Sequence, residues 1–171
     1  RIIEETASTD PKFVSANLDF TGEPGLQALV TTNRIVERTT ITRQGEEIGI
    51  IGLTTPLLPT ISTPRNVVVD SNTIAIAQQE IDELVAEGVN KIILISHLQG
   101  IGEELALAAE LTDLDVIIAG GGDELLTNDP VLNELGGLTQ SDVYPIRVAN
   151  PLGDSVYVVT TPGEYRYVGN L

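Results

Sequence analysis

The chain reads as an α/β protein: a layered, mixed sheet with antiparallel strands at its C-terminal end. Three observations predict this. Buried apolar runs alternate with amphipathic stretches of helical spacing from Ile48 to Ala119, the pattern of parallel β-α-β units with right-handed crossovers. The ends of the chain carry shorter strand-like runs separated by turn residues. Hydrophobic residues make up 42% and charged residues 20% of the 171 positions, the balance of a globular domain rather than of a disordered or collagen-like one.

In chain order, Lys12–Asp19 reads as a short strand running into Asn17–Phe20, and Thr21–Gly25 as a turn. Ile35–Arg43 and Glu46–Leu53 form a hairpin closed by Gln44–Gly45. The first strand is Thr-rich, as an edge strand is. The second, with Ile48–Leu53 nearly all apolar, is a central strand buried on both faces. Thr54–Pro64 carries three prolines and reads as irregular.

Asp70–Asn72 offers helix-capping residues, and Ile74, Ala77, Ile81, Leu84 and Val85 then share one helical face, with Gly88 at the C′ position. Lys91–Ser96 is a buried strand. Gly102–Leu111 is a second helix with Leu105, Ala108 and Ala109 inward, and Asp115–Ala119 is another buried strand ending in three glycines. Residues 123–143 read as loop. Tyr144–Val148, Ser155–Thr160 and Glu164–Val168 close the chain as antiparallel strands, the last two joined by a Pro-Gly turn.

Charge narrows the function. Nine Lys plus Arg against 25 Asp plus Glu give a net charge of −16, which disfavours nucleic-acid polymers and anionic membrane surfaces. No apolar run approaches the ~18–20 residues of a membrane-spanning helix. The absence of Cys removes disulfides, thiolate nucleophiles and zinc-thiolate sites.

Sites in open α/β sheets gather beyond the carboxyl ends of the strands. Two loops qualify: Ser96–Gly100 after one buried strand and Gly120–Glu124 after the next. Parallel strands linked by the helix between them bring both loops to one edge, and with them the chain's single His, His97, and the acids Asp123 and Glu124. Imidazole beside carboxylate is metal-ligand chemistry. A structural histidine is the competing reading of His97, and close strand–loop packing competes with phosphate binding for the three glycines. The glycines do not follow the dinucleotide-binding pattern. No nucleophile triad can be built, since Ser96 points to the opposite side of its strand from His97. Glu46–Glu47 and Glu103–Glu104 read as solvated pairs. One His and one or two carboxylates are too few for a two-metal cluster.

Four ordered segments resemble a known family: Phe13–Phe20, Gly45–Thr55, Gly88–Leu98 and Asp115–Gly121, with Val159–Tyr165 and Tyr167–Gly169 matching a closing hairpin. They are similar to the second half of the catalytic domain in the 5′-nucleotidase and 2′,3′-cyclic phosphodiesterase group of calcineurin-like metallophosphoesterases. The resemblance runs from about Lys12 to Leu171 and implies part of a four-layer α-β-β-α sandwich that hydrolyses phosphate esters through a water activated by two divalent metals (Mn, Mg, Ca or Zn).

By that resemblance, residues 1–171 are the C-terminal part of the domain, and the remaining ligands and the catalytic His are expected upstream of Arg1, leaving no catalytic residue in this chain. His97 matches a metal ligand. At the terminal motif the family's first His falls on Gly121 and the next ligand position on Asp123, whose carboxylate would favour hard ions over zinc. The parent is expected to be a periplasmic, secreted or cell-surface enzyme acting on a small phosphate ester. The isolated piece is expected to be inactive, to bind no metal or only a partial set, and either to self-associate or to expose an apolar patch. A non-catalytic extracellular binding module that kept the fold and lost the site is the alternative.

Overall fold

The computed structural model describes residues 11–129, 131–132, 140–163 and 168–169. Its opening segment is two short strands, β1 (Phe13–Val14) and β2 (Leu18–Asp19), rather than one continuous strand. The chain turns between them to bury Asn17. Helix α1 (Pro24–Thr31) follows with proline in its first turn, where its missing N–H costs nothing. Its short apolar stripe, Leu26, Leu29 and Val30, is only half-buried, and it is not among the helices expected from the sequence. Strand β3 (Ile35–Val36) pairs in parallel with β1.

The expected hairpin is present but starts later than Ile35, because Ile35–Val36 pair with β1: β4 (Arg38–Arg43) and β5 (Glu46–Thr54) pair from Arg38↔Ile51 to Arg43↔Glu46. Gln44 and Gly45 have φ of 55° and 85°, the doubly left-handed two-residue turn that matches strand twist. The proline-rich connection holds one helical turn, α2 (Leu58–Ile61), and then β6 (Val68–Val69), antiparallel to β2.

Helix α3 (Thr73–Ala86) buries Ala77, Glu80, Ile81 and Leu84, while Ile74 and Val85 are exposed, so its inward stripe is narrower than expected. Strand β7 (Ile92–His97), helix α4 (Ile101–Glu110) and strand β8 (Val116–Ala119) complete the expected unit. In α4 the buried positions are Glu104, Leu107 and Ala108, with Leu111 following them, spaced i, i+3, i+4 and i+7. The expected Ala109 is exposed and Leu105 only half-buried. The stripe is displaced because Glu104, expected to be solvated, is buried against Ser96.

Within the stretch expected to be loop, β9 (Leu125–Leu126) is buried and pairs in parallel with β10 (Gln140–Asp142). The closing strands are β11 (Ile146–Ala149) and β12 (Ser155–Val159); the expected strand at 164–168 lies almost wholly outside the described residues.

Among the described residues the main sheet has six strands in the order β11-β12-β8-β7-β5-β4. The inner four are parallel, and the edge strands β4 and β11 are antiparallel to their neighbours. Strand β12 thus departs from the antiparallel expectation: it extends the parallel core beside β8. Helices α3 and α4 cover one face, enclosing Ile51, Leu53, Leu94, Ile117, Val156 and Val158 in a single cluster with Ile81, Leu84 and Leu107. Each such aliphatic side chain taken from water contributes about 1.5–3 kcal/mol. On the opposite face Ile95, Ile118 and Tyr157 are 41%, 40% and 38% exposed.

Candidate functional site

The carboxyl ends of β5, β7 and β8 lie side by side, as the parallel register demands. His97 is the last residue of β7, paired with Thr54 of β5, and its carbonyl accepts from the Thr55 amide at 3.0 Å. The imidazole is exposed, on the side opposite Ser96, which is buried as the alternation requires. The Ser96 hydroxyl donates to Glu104 Oε1 at 2.7 Å, and its carbonyl accepts from the Gly120 amide at 2.9 Å. Burial pushes the Glu104 carboxyl above the ordinary range, the Ser96 hydrogen bond opposing that shift, and Oε2 has no hydrogen-bond partner among the described residues.

The glycine loop after β8 is packed against the His97 loop. A Cβ on Gly120 would lie 2.9 Å from the Ser96 carbonyl oxygen and 4.0 Å from His97 Nδ1. One on Gly121 would overlap the Leu98 carbonyl, and one on Gly122 would overlap the Glu124 carboxylate. Asp123 is exposed, and its Oδ1 accepts from the Gly163 amide at 3.2 Å. Glu124 Oε1 accepts from the Ile101 amide at 3.0 Å, at the first residue of α4. The structure therefore brings the two loops together as expected but gives both acids protein partners.

Sequence reasoning missed the clasp behind His97. Asn17, almost wholly buried, donates from Nδ2 to the carbonyls of Thr54 (2.7 Å) and Asp70 (3.1 Å), while its Oδ1 accepts from the Thr54 amide at 2.9 Å. Ser15 Oγ lies 2.8 Å from Thr54 Oγ1. These bonds fix the end of β5 next to His97. The signal available was an Asn set among apolar residues in Ser15–Leu18, which a buried polar side chain needs several partners to occupy.

A metal site fits these residues only in part. Among the described residues no three His, Asp or Glu side chains group closely enough to hold an ion. His97 offers an imidazole that hydrogen-bonds no described residue, and Asp123 offers the oxygen not turned to Gly163.

Among the hollows between the described residues, two are the most spacious. One, of about 720 Å³, lies on the open sheet face beside Gly120, lined by Ile93, Ile118, Tyr144 and Pro162. The other, about 1000 Å³, is bordered by Asn17, Arg38 and Glu80. There Arg38 binds Glu80 (2.7 Å), Glu83 (2.6 Å) and Glu87 (3.0 Å), tying β4 to α3; burial raises the Glu80 carboxyl and Arg38 partly offsets it.

No family model matches the sequence. Among curated relatives, the NAD 5′-nucleotidase of Haemophilus influenzae is 37% identical over 134 residues, covering 76% of this chain and 21% of the relative. The probable 5′-nucleotidase of Treponema pallidum is 35% identical over 148 residues, 85% of this chain and 23% of the relative. Among solved structures, the 5′-nucleotidase precursor of Thermus thermophilus superposes with a TM-score of 0.77 at 40% identity, over 87% of this chain and 27% of that one. The chain is a relative of the 5′-nucleotidases. It spans about a quarter of the length of the 5′-nucleotidases it matches, and its mixed α/β sheet is the fold class that the sequence predicts. No helix of this 5′-nucleotidase relative, among the described residues, is long and apolar enough to cross a membrane.

Proposed function

We propose that residues 1–171 are the C-terminal part of a four-layer metallophosphoesterase domain, and that the full-length protein hydrolyses nucleotides or other phosphomonoesters. The observation that carries this reading is the 40% identity and 0.77 TM-score to a 5′-nucleotidase precursor over 87% of the chain. In this reading the exposed sheet face meets the rest of the domain. The substrate is a small phosphate ester, and the compartment is the periplasm, the cell surface or the exterior. The last point draws on relatives such as a snake venom 5′-nucleotidase from Naja atra, 32% identical over 127 residues.

The residues of this chain would hold one side of a two-ion site: His97 by its imidazole and Asp123 by its carboxylate. When bound, such ions polarise a phosphoryl oxygen and lower the pKa of a coordinated water. What this chain supplies is placement. His97 ends a central strand whose neighbour is clamped by Asn17 and whose own carbonyl is held by Thr55, so its imidazole is presented without a rearrangement. Asp123 adds a hard, anionic oxygen donor, which favours Mn, Mg or Ca over Zn.

The test is ion content and phosphatase turnover of the full-length protein after reconstitution with each ion. His97→Ala and Asp123→Ala should each weaken ion binding by at least about tenfold, and the 171-residue chain alone should show no turnover. Stoichiometric zinc that survives loss of Asp123 would return Asp123 to a structural role. The tight packing of Gly121 on Leu98, which leaves no room for a ligand side chain, favours the second reading, a non-catalytic extracellular binding module. A full-length protein that turns over no phosphomonoester with any ion would establish that reading instead.

A further inference from the structure

We infer that Glu124 is a positioning residue rather than an ion ligand: its carboxylate clamps the loop after β8 to the start of α4 and thereby fixes the loop that carries His97. The role assigned to His97 rests on the reading above; the clamp itself does not.

Two hydrogen bonds hold the start of α4 and the turn before it. Glu124 Oε1 accepts the Ile101 amide, one of the N-terminal N–H groups that an α-helix leaves without an internal partner. Helix α4 has no side-chain cap of its own, because its N-cap position is Gly100, so this acceptor comes from another element. A carboxylate there also meets the positive end of the helix dipole. Glu103 Oε2 accepts the Gln99 amide at 2.8 Å, so the turn between His97 and α4 is held by carboxylates from both sides.

The glycines explain themselves in these terms. A Cβ on Gly122 would occupy the place of the Glu124 carboxylate, and one on Gly100 would lie 3.6 Å from Glu124 Oε1. Gly121 lies flat on the Leu98 carbonyl, which brings the two loops close enough for Glu124 to reach across. The three glycines after β8 thus serve loop-to-loop contact, and Glu124 commits its acceptor oxygen to the backbone.

The test uses the full-length protein and two readouts. The first is hydrogen exchange of the Ile101 amide, with β5 and β7 amides as the control for global stability. Glu124→Ala should raise Ile101 exchange about tenfold, the size of one lost charge-assisted hydrogen bond. Glu124→Gln, whose amide oxygen still accepts, should recover most of that loss. Gly122→Ala should raise exchange in the native background and add little in the Glu124→Ala background, because the group it displaces is already gone. The second readout is manganese affinity, expected to fall with Glu124→Ala and to be largely retained with Glu124→Gln.

Unchanged Ile101 exchange in Glu124→Ala would overturn the clamp, and so would additive effects of the two substitutions. Equal loss of manganese affinity in Glu124→Gln and Glu124→Ala would make the carboxylate a ligand and overturn the proposal from the other side. If His97→Ala binds manganese as the native protein does, the site reading fails, while the exchange results still decide the clamp.

Discussion

The two faces of the central sheet differ more than their sequences do. Leu94 is fully buried and its neighbour Ile95 is 41% exposed; Ile117 is fully buried and Ile118 is 40% exposed; Val156 and Val158 are buried while Tyr157 between them is 38% exposed. Both faces are apolar, so the strands have the composition of sheets covered on both sides. Among the described residues α3 and α4 cover one of them; on the other, β1 packs on Gly52 of β5 while Ile95, Ile118 and Tyr157 stay part-exposed. Apolar content therefore reports what a strand is built to meet, and only the helices in hand decide which face is packed within this chain.

The largest expected effect breaks the covered face. Leu94→Ala should cost about 2–5 kcal/mol, through lost transfer energy plus a cavity that the rigid strands cannot close. Ile117→Ala, at the matching position on β8, should cost a similar amount. Urea unfolding of the 171-residue chain measures both. Losses below about 1 kcal/mol would mean that the face under α3 and α4 is as loosely packed as the other.

A smaller effect sits at the edge of the same covered face, where α4 buries Glu104. Its carboxyl is raised above the ordinary value of 4.5, chiefly by burial. Below the unfolded-state value both states hold the proton and the group costs nothing. As pH rises past it, the unfolded chain ionises first while the native state keeps its proton, so stability falls until the folded value is passed. Glu104→Gln removes this loss. The stability of the native chain relative to that variant should decline from about pH 4.5 towards neutrality. Urea midpoints at a series of pH values check this, and a flat difference would mean that Glu104 titrates alike in both states. Ser96→Ala should cost roughly 1–3 kcal/mol, most where the Glu104 carboxyl is ionised, since it strips the buried carboxyl of its hydroxyl donor.

Much of this sheet was legible in the sequence, for a physical reason: β5, β7 and β8 are continuous apolar runs bounded by glycine or polar residues, and helices of the right period lie between them. The carboxyl-edge position of His97 followed from the same logic. What was not legible depends on tertiary partners. Helix α1 is short and half-buries only Leu26, Leu29 and Val30 among its apolar residues, too few periods to separate from a turn. The parallel pairing of β12 with β8 is set by the crossover through the sheet, while the Pro-Gly turn nearby hinted only at a hairpin. Glu104 beside Glu103 looks like any exposed acidic pair until the Ser96 hydroxyl is placed beneath it. Asp123 and Glu124 were readable as acids near His97, but their turn towards Gly163 and Ile101 is a property of the folded loops, which no spacing in the sequence records.

The smallest effect on stability belongs to the open face. Ile95 and Ile118 keep about two-fifths of their surface in water, so charging them gives up less burial than a change at Leu94 or Ile117. Ile95→Lys and Ile118→Lys should each change stability by no more than about 0.5–1 kcal/mol, since a lysine can lay its alkyl stem on the sheet and keep its ammonium in solvent. Their expected consequence is on association instead. Ile95 and Ile118 are paired on adjacent strands with Tyr157 beside them, and contiguous apolar patches of this kind drive contact with other surfaces. Light scattering and hydrophobic-dye binding of the 171-residue chain should both fall when the two isoleucines are charged, with the unfolding midpoint nearly unmoved. A native chain that is monomeric and dye-free would show that the open face needs no cover. A midpoint that drops as far as for Leu94→Ala would show that the face is packed within the chain, and the contrast between the two faces would disappear.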